Sequence, residues 1–342
     1  MRKFIPLLCL VFSSIHLLAQ TYGILETNNI RCAVNSHGQL FEVIPGSQIF
    51  EVPAGSGLST VYAANLWVGG IAGDQQIKLA AEMYFSNEHD WFPGPLTIGD
   101  ATTTENVMQQ YDQVWIASAS DIATHIAYFN AVANNTVEEE FPDGYTMPQW
   151  IINWPAHGDY TAGYDFYLAP FFDYDADYVY DPFAGDYPLF CGDECIYFIF
   201  NDGGGVHESS GGQPIGLEIH GMLYAFDDSD PMLQNTVFLK YRIINRGTQE
   251  LSDAYMGMFT DFDIGNPAND YAGTLVQNQA IYGYNGTSST EEYNAPPPFQ
   301  ATQLLAGPWL DNDDTDNPLP DSEYSSPTLS YGSAGWGFGD GA

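Results

Sequence analysis

The sequence predicts a mainly β protein, with sandwich-like sheets and a small helical insertion near residues 104–154. Three observations carry this expectation. Short aromatic and β-branched runs alternate with Gly and Pro in both halves of the chain. The run TVFLKYRIIN has the period of two expected of a sheet with one buried face. Between 104 and 154 the apolar spacing changes to that of a helix.

The elements follow in order. LFEVIPG, IFEVPAGSG, STVYAANLWVGG and IKLAAEMYF read as strands between turn residues. Ser120 or Asp121 is placed to cap a helix over 122–129, with Ile122, Ile126 and Phe129 on one face. A second helical turn is expected over 147–153, ended by Pro155. CIYFIF, IGLEIHGMLYAF, TVFLKYRIIN, AYMGMFTDF and TLVQNQAIYGY return to strands. In TVFLKYRIIN, Val237, Leu239, Tyr241 and Ile243 point one way, and Lys240 and Arg242 the other, which reads as a solvated sheet face. The resulting division is 1–20 as signal peptide, 21–160 as a β-rich region with the helical insertion, 161–286 as a sandwich-like region with acidic loops, and 287–342 as a loop-rich C-terminal segment.

MRKFIPLLCLVFSSIHLLAQ has the two bases, apolar run and small-residue end of a secretory signal, and is short for a membrane span. No later stretch is apolar for long enough to span, so no membrane segment is expected in the mature chain. Of the seven Lys and Arg residues, Arg2 and Lys3 leave with the signal, while 44 acids face the remainder. Such a field repels nucleic acid and anionic membranes. The 45% apolar and 15% aromatic content nevertheless supports a folded core. Cys32, Cys191 and Cys195 remain after cleavage; export permits a disulfide, its pairing is open, and a four-ligand zinc spacing is missing.

The acids cluster. In DYDADYVYDPFAGDYP, Asp173, Asp175 and Asp177 sit at i, i+2 and i+4, the spacing that lets hard oxygen ligands converge on calcium (Ca2+). Val179 occupies the position that offers a backbone carbonyl in an EF-hand-like loop, Asp181 the ninth, and Asp186 replaces a missing final carboxylate. Tyr178 stands where such a loop has Gly. A second cluster, TDFDIGNPANDYAG, offers Asp261, Asp263 and Asp270, with Gly265 and Pro267 allowing the chain to fold back. A third, Asp311, Asp313, Asp314 and Asp316, reads as a solvated loop.

No catalytic assembly emerges. HExxH, GxSxG and a phosphate-binding glycine loop in strand–turn–helix context are all missing from the text. His89-Asp90 and His157-Gly158-Asp159 have the form of a base with its orienter, but read as structural hydrogen bonding at loop ends. Trp91, Trp150 and Trp154 could stack on sugars, although core positions are the ordinary reading for them.

The phrases NNIRCAVNSHGQLF, FEVPAGSGLSTVYAANLWVGG, DWFPGPL, IINWPAHG, LAPFFDYDADYVYDPFAGDYP, CIYFIFND, IGLEIHGMLYAF, LKYRIINRG and DFDIGNPANDYAG together resemble a family of large secreted Bacteroidota proteins of the type IX secretion cargo kind. That resemblance implies export, a C-terminal sorting domain following the GFGDG phrase, and a fuller Asp/Asn-Gly-Asp-Gly loop from which Ala176 and Tyr178 depart. A fragment, or a product lacking that domain, is expected here. The overall expectation is a secreted or cell-surface, calcium-stabilised, non-catalytic protein of adhesion, matrix building or ligand presentation, with an extracellular glycan or envelope protein as partner. The alternative is a polysaccharide-binding module or secreted glycoside hydrolase.

Overall fold

CIYFIF is apolar at every position, and its surroundings explain why. In the computed structural model, which describes residues 21–73, 75–287, 293 and 296–307, this strand is covered on both faces. The strands are Tyr22–Leu25 (β1), Arg31–Asn35 (β2), Phe50–Glu51 (β3), Val61–Ala72 (β4), Ile77–Ala81 (β5), Phe92–Pro93 (β6), Trp115–Ser118 (β7) and Phe171–Phe172 (β8). They continue with Tyr187–Pro188 (β9), Glu194–Asn201 (β10), Leu217–Ala225 (β11), Phe238–Asn245 (β12), Leu251–Phe262 (β13), Asp270–Leu275 (β14), Ala280–Asn285 (β15) and Gln300–Gln303 (β16). Glu105–Tyr111 (α1), Ala119–Asn134 (α2), Val137–Glu140 (α3), Gln149–Ile152 (α4) and Pro231–Gln234 (α5) are helical.

The protein is mainly β, and its pairings between strands are antiparallel. One sheet runs β12-β11-β10, with β6 and β7 sharing the far edge of β10. Facing it, β1-β2-β3 and β13-β4-β5 are joined through Leu40, which bridges to Val34 and Ala64. The first core lies between these layers: Ile196, Phe198 and Phe200 of β10 meet Leu25, Cys32, Val34, Leu66 and Val68. Residues on both sides of position 160 build it. The opposite face of β10, with Cys195, Tyr197 and Ile199, packs a second core with Ile122, Ile151, Trp154, Leu168 and Phe171 from the helical insertion and the loops after it. A strand clamped this way has no solvent face to mark with polar residues.

Several expectations shift. The helix begins earlier than the spacing suggested, because β7 runs straight into it and Ser118 is the N-cap, its hydroxyl accepting the Asp121 N–H at 3.4 Å. LFEVIPG forms no strand; Phe41 takes a left-handed φ of 72°, and only isolated bridges remain at Leu40 and Ile44. TLVQNQAIYGY breaks into β14 and β15 at a 3-10 turn closed by Gln279, φ 52°. Val237, Leu239, Tyr241 and Ile243 do face the first core. Lys240 and Arg242 are not on a solvated face: they lie half-buried on the side of the second core, near Cys191, Cys195 and Tyr197, where burial lowers both their pKa values.

Cys32 and Cys195 are buried in different cores, on opposite sides of β10, so they cannot bridge; all three described cysteines are free thiols. Among the described residues no helix is long and apolar enough to cross a membrane. The leader and the run Asp311 to Asp316 lie outside the described residues.

Candidate cation-binding loop

The loop between β8 and β9 is laid down by its own acids. Asp173 accepts the N–H groups of Ala176 (2.7 Å) and Asp177 (3.3 Å) on one oxygen and that of Tyr178 (2.7 Å) on the other. Asp177 accepts the Val179 N–H at 2.8 Å, and Asp181 that of Phe183 at 2.9 Å. These bonds are made by a tightly wound chain, and the winding requires left-handed backbone at Ala176 (φ 61°) and Tyr178 (φ 67°), the two places where Gly would fit without strain.

The winding brings Asp173, Asp175 and Asp177 together, with one carboxylate oxygen from each lying within 4.8 Å of the others. Calcium–oxygen bonds are about 2.3–2.6 Å, so two ligands of one ion stand no more than about 5.2 Å apart. The donor set is all hard oxygen, and Asp175 and Asp177 are open to solvent, which leaves room for water ligands. The three residues could therefore hold a metal ion. It is the one such group among the described residues.

The remaining expected ligands are placed differently. Asp181 is outside the group and supports the next turn. Asp186 is fully buried behind the loop, where it accepts the N–H groups of Tyr174 and Asp181, each at 2.8 Å. It acts as a clasp between the two ends of the loop. Val179 is tied to Asp177 through its own N–H. Asp261, Asp263 and Asp270 do not form such a group. Asp270 does fold back, accepting the Ile264 N–H at 2.7 Å, while Tyr84 donates to Asp261 and Gln48 to Asp263. Burial, and then the neighbouring carboxylates, raise the pKa of Asp263 and Asp270.

Two histidines lock the loop onto the helical layer. His125 of α2 contacts the Asp186 carbonyl through Nε2 and the Tyr145 hydroxyl through Nδ1, both at 3.0 Å. His157 lies 3.0 Å from the Phe166 carbonyl through Nδ1, and its Nε2 accepts the Tyr180 N–H at 2.7 Å, which fixes the neutral tautomer. Asp159 accepts the N–H groups of Thr161 and Ala162, and the buried Asp90 those of Ala81, Ser209 and Ser210. These acids and histidines hold backbone.

Charge and pH are linked through the same groups. Burial lowers the pKa of His125 and His157, as it does for His37 and His220. Burial raises Asp186 to about 6; its N–H partners resist, and Asp173 and Asp175 push it further. A histidine lowered on folding contributes stability that is complete above its ordinary pKa near 6.5 and lost as pH falls below it. Asp186 acts oppositely: the folded state holds its proton up to about pH 6, so its contribution favours folding on the acid side and is lost as pH rises toward 6. In chelator-treated protein, the denaturant midpoint should fall between pH 6.5 and 5, and fall further in Asp186→Asn, which lacks the opposing group. An equal fall in both proteins would show Asp186 already ionised across that window.

Trp91 and Trp154 are core residues, and the half-buried Trp150 packs against the second core and donates its indole N–H to Asp121 at 2.9 Å. Comparison with protein-family models, curated proteins and solved structures found no match.

Proposed function

We propose that this is an exported, non-catalytic module of the cell envelope or its surroundings, whose acidic loop binds calcium to fix architecture. The carrying observation is the convergence of the Asp173, Asp175 and Asp177 carboxylates on a loop already pinned by Asp186, His125 and His157. Three like charges so close repel one another, and a divalent ion at their focus turns that repulsion into attraction. The resemblance to type IX secretion cargo and the signal-like leader support export, and the acidic surface favours an extracellular glycan or envelope protein over nucleic acid as partner.

The test is a thermal melt of the mature protein with calcium and with chelator at fixed ionic strength. A cation at 100 times its dissociation constant should add about 2.7 kcal/mol. Asp175→Ala combined with Asp177→Ala should remove most of that gain, while Asp261→Ala should leave it. No shift in wild type would end the calcium reading, and equal losses from all substitutions would reduce it to general charge screening.

A further inference from the structure

Three cysteines follow the leader, and the fold leaves them a single way to pair. Cys32 lies in the first core, on one side of β10; Cys195 lies in the second core, with Cys191 packed against it. A bridge from Cys32 to either would have to cross the sheet. Cys191 and Cys195 share a side, and the chain between them bends. Gly192 takes a left-handed φ of 82°, and the Asp193 N–H donates to the Ala225 carbonyl at 2.9 Å, which turns the segment across the end of β11. A Cβ on Gly192 would sit 2.6 Å from that carbonyl oxygen, so the turn needs glycine. The bend delivers the Cys191 main chain to the Cys195 side chain, where the Cys191 N–H donates to the Cys195 sulfur. A sulfur that reaches the amide of the other cysteine lies within side-chain rotation of its thiol.

We propose that Cys191 and Cys195 are a disulfide-forming pair, oxidised by exchange with an external disulfide. Half-buried Cys191 is the thiol that an outside reagent reaches, and fully buried Cys195 is the one it does not. The Cys191 thiolate attacks one sulfur of the incoming disulfide, forms a mixed disulfide and expels one thiolate. The Cys195 thiolate then attacks the Cys191 sulfur and expels the second. Two protein thiols and one external disulfide thus become one protein disulfide and two external thiols.

Lys240 serves the pair across the sheet. It stands opposite Met222 of β11, whose other neighbour is Tyr197 of β10, two residues from Cys195 on the same face. Burial raises both thiol pKa values, that of Cys195 furthest, and the Lys240 charge pulls both back. Burial lowers Lys240 itself to about 8, so near that pH its amine is available to accept a thiol proton. The bond would also fasten the acidic loop, because Cys191 follows β9, and β9 follows the Asp186 clasp. The envelope location proposed above supplies an oxidising compartment, but the exchange itself does not rest on that reading.

The experiment incubates the reduced mature protein with oxidised glutathione at about pH 8, blocks the remaining thiols in denaturant, and reads the intact mass and the linked peptides. Loss of two blockable thiols is expected, with Cys191 linked to Cys195 and Cys32 left over. Cys195→Ser should stop at a glutathione adduct on Cys191, and Cys191→Ser should keep both of its thiols. Lys240→Met should slow the reaction several-fold and move its pH profile upward, with the same product. Three blockable thiols after oxidation, a link that includes Cys32, or a lasting glutathione adduct on wild-type Cys191 would each overturn the proposal. Wild type alone decides these outcomes, so a variant that fails to fold leaves the test intact. None of the readouts involves calcium, so the acidic loop stands or falls separately.

Discussion

Glu218→Ala should cost about 3–5 kcal/mol, the loss typical of breaking a buried ion pair by removing one partner. Glu218 projects from β11 into the second core, fully buried. Arg246 donates to one of its oxygens at 2.7 Å, His220 to the same oxygen at 2.8 Å, and the Leu96 N–H to the other at 2.8 Å. The chain of bonds extends from the Tyr197 hydroxyl, 2.6 Å from His220 Nδ1, to Asp165, 2.9 Å from Arg246. Burial pushes the Glu218 pKa up, but His220 and Arg246 overcome it and hold the group at about 2. Its removal takes one of two carboxylates from Arg246, leaving Asp165, and strands the His220 and Leu96 donors. Guanidinium denaturation should show the full loss, with Glu218→Gln falling between it and wild type because the acceptor is kept and the charge is not. A loss below about 1 kcal/mol would mean that water or rearrangement replaces the carboxylate.

Asp202→Ala should be nearly as damaging, at about 3 kcal/mol or more, since about 1–3 kcal/mol follows each buried donor left alone. Its carboxylate accepts three successive N–H groups, from Ile215 (2.5 Å), Gly216 (2.8 Å) and Leu217 (2.6 Å). Its carbonyl lies 2.7 Å from His207 Nε2, and His207 Nδ1 lies 2.6 Å from the Leu79 carbonyl. One acid thus ties both ends of the glycine-rich connection between β10 and β11 and lashes it to β5. The variant should lose stability in denaturation and gain protease cleavage sites within residues 203–214. Unchanged cleavage would show that packing of Gly203 and Gly204 against Leu96 and Phe92 holds the loop by itself.

The sequence revealed most where one rule governed alone. The period of two in β12 correctly assigned its core face, since edge strands keep one apolar side. The spacing of Asp173, Asp175 and Asp177 was legible, whereas the left-handed turns at Ala176 and Tyr178 that bring their carboxylates together were not. Long-range partners were not legible. Lys240 and Arg242 look solvated until the helical layer and its loops are placed over them, and Glu218 and His220 look like the polar side of an ordinary alternating strand. Asp186 has the spacing of a ligand, but its burial makes it a backbone clasp. Along the small sheet the Tyr-Gly-Tyr of β15 faces the Tyr-Ala-Gly of β14, and only the strand register shows that the Tyr282 ring lies over Gly273.

The double use of β10 limits how the molecule can be taken apart. Its two faces serve as the floor of one compartment and the ceiling of another, and segments from either side of position 160 supply the walls. Cutting the gene there would give two polypeptides, each with an apolar surface matched only by the other. The two segments of the described portion therefore depend on each other for their cores.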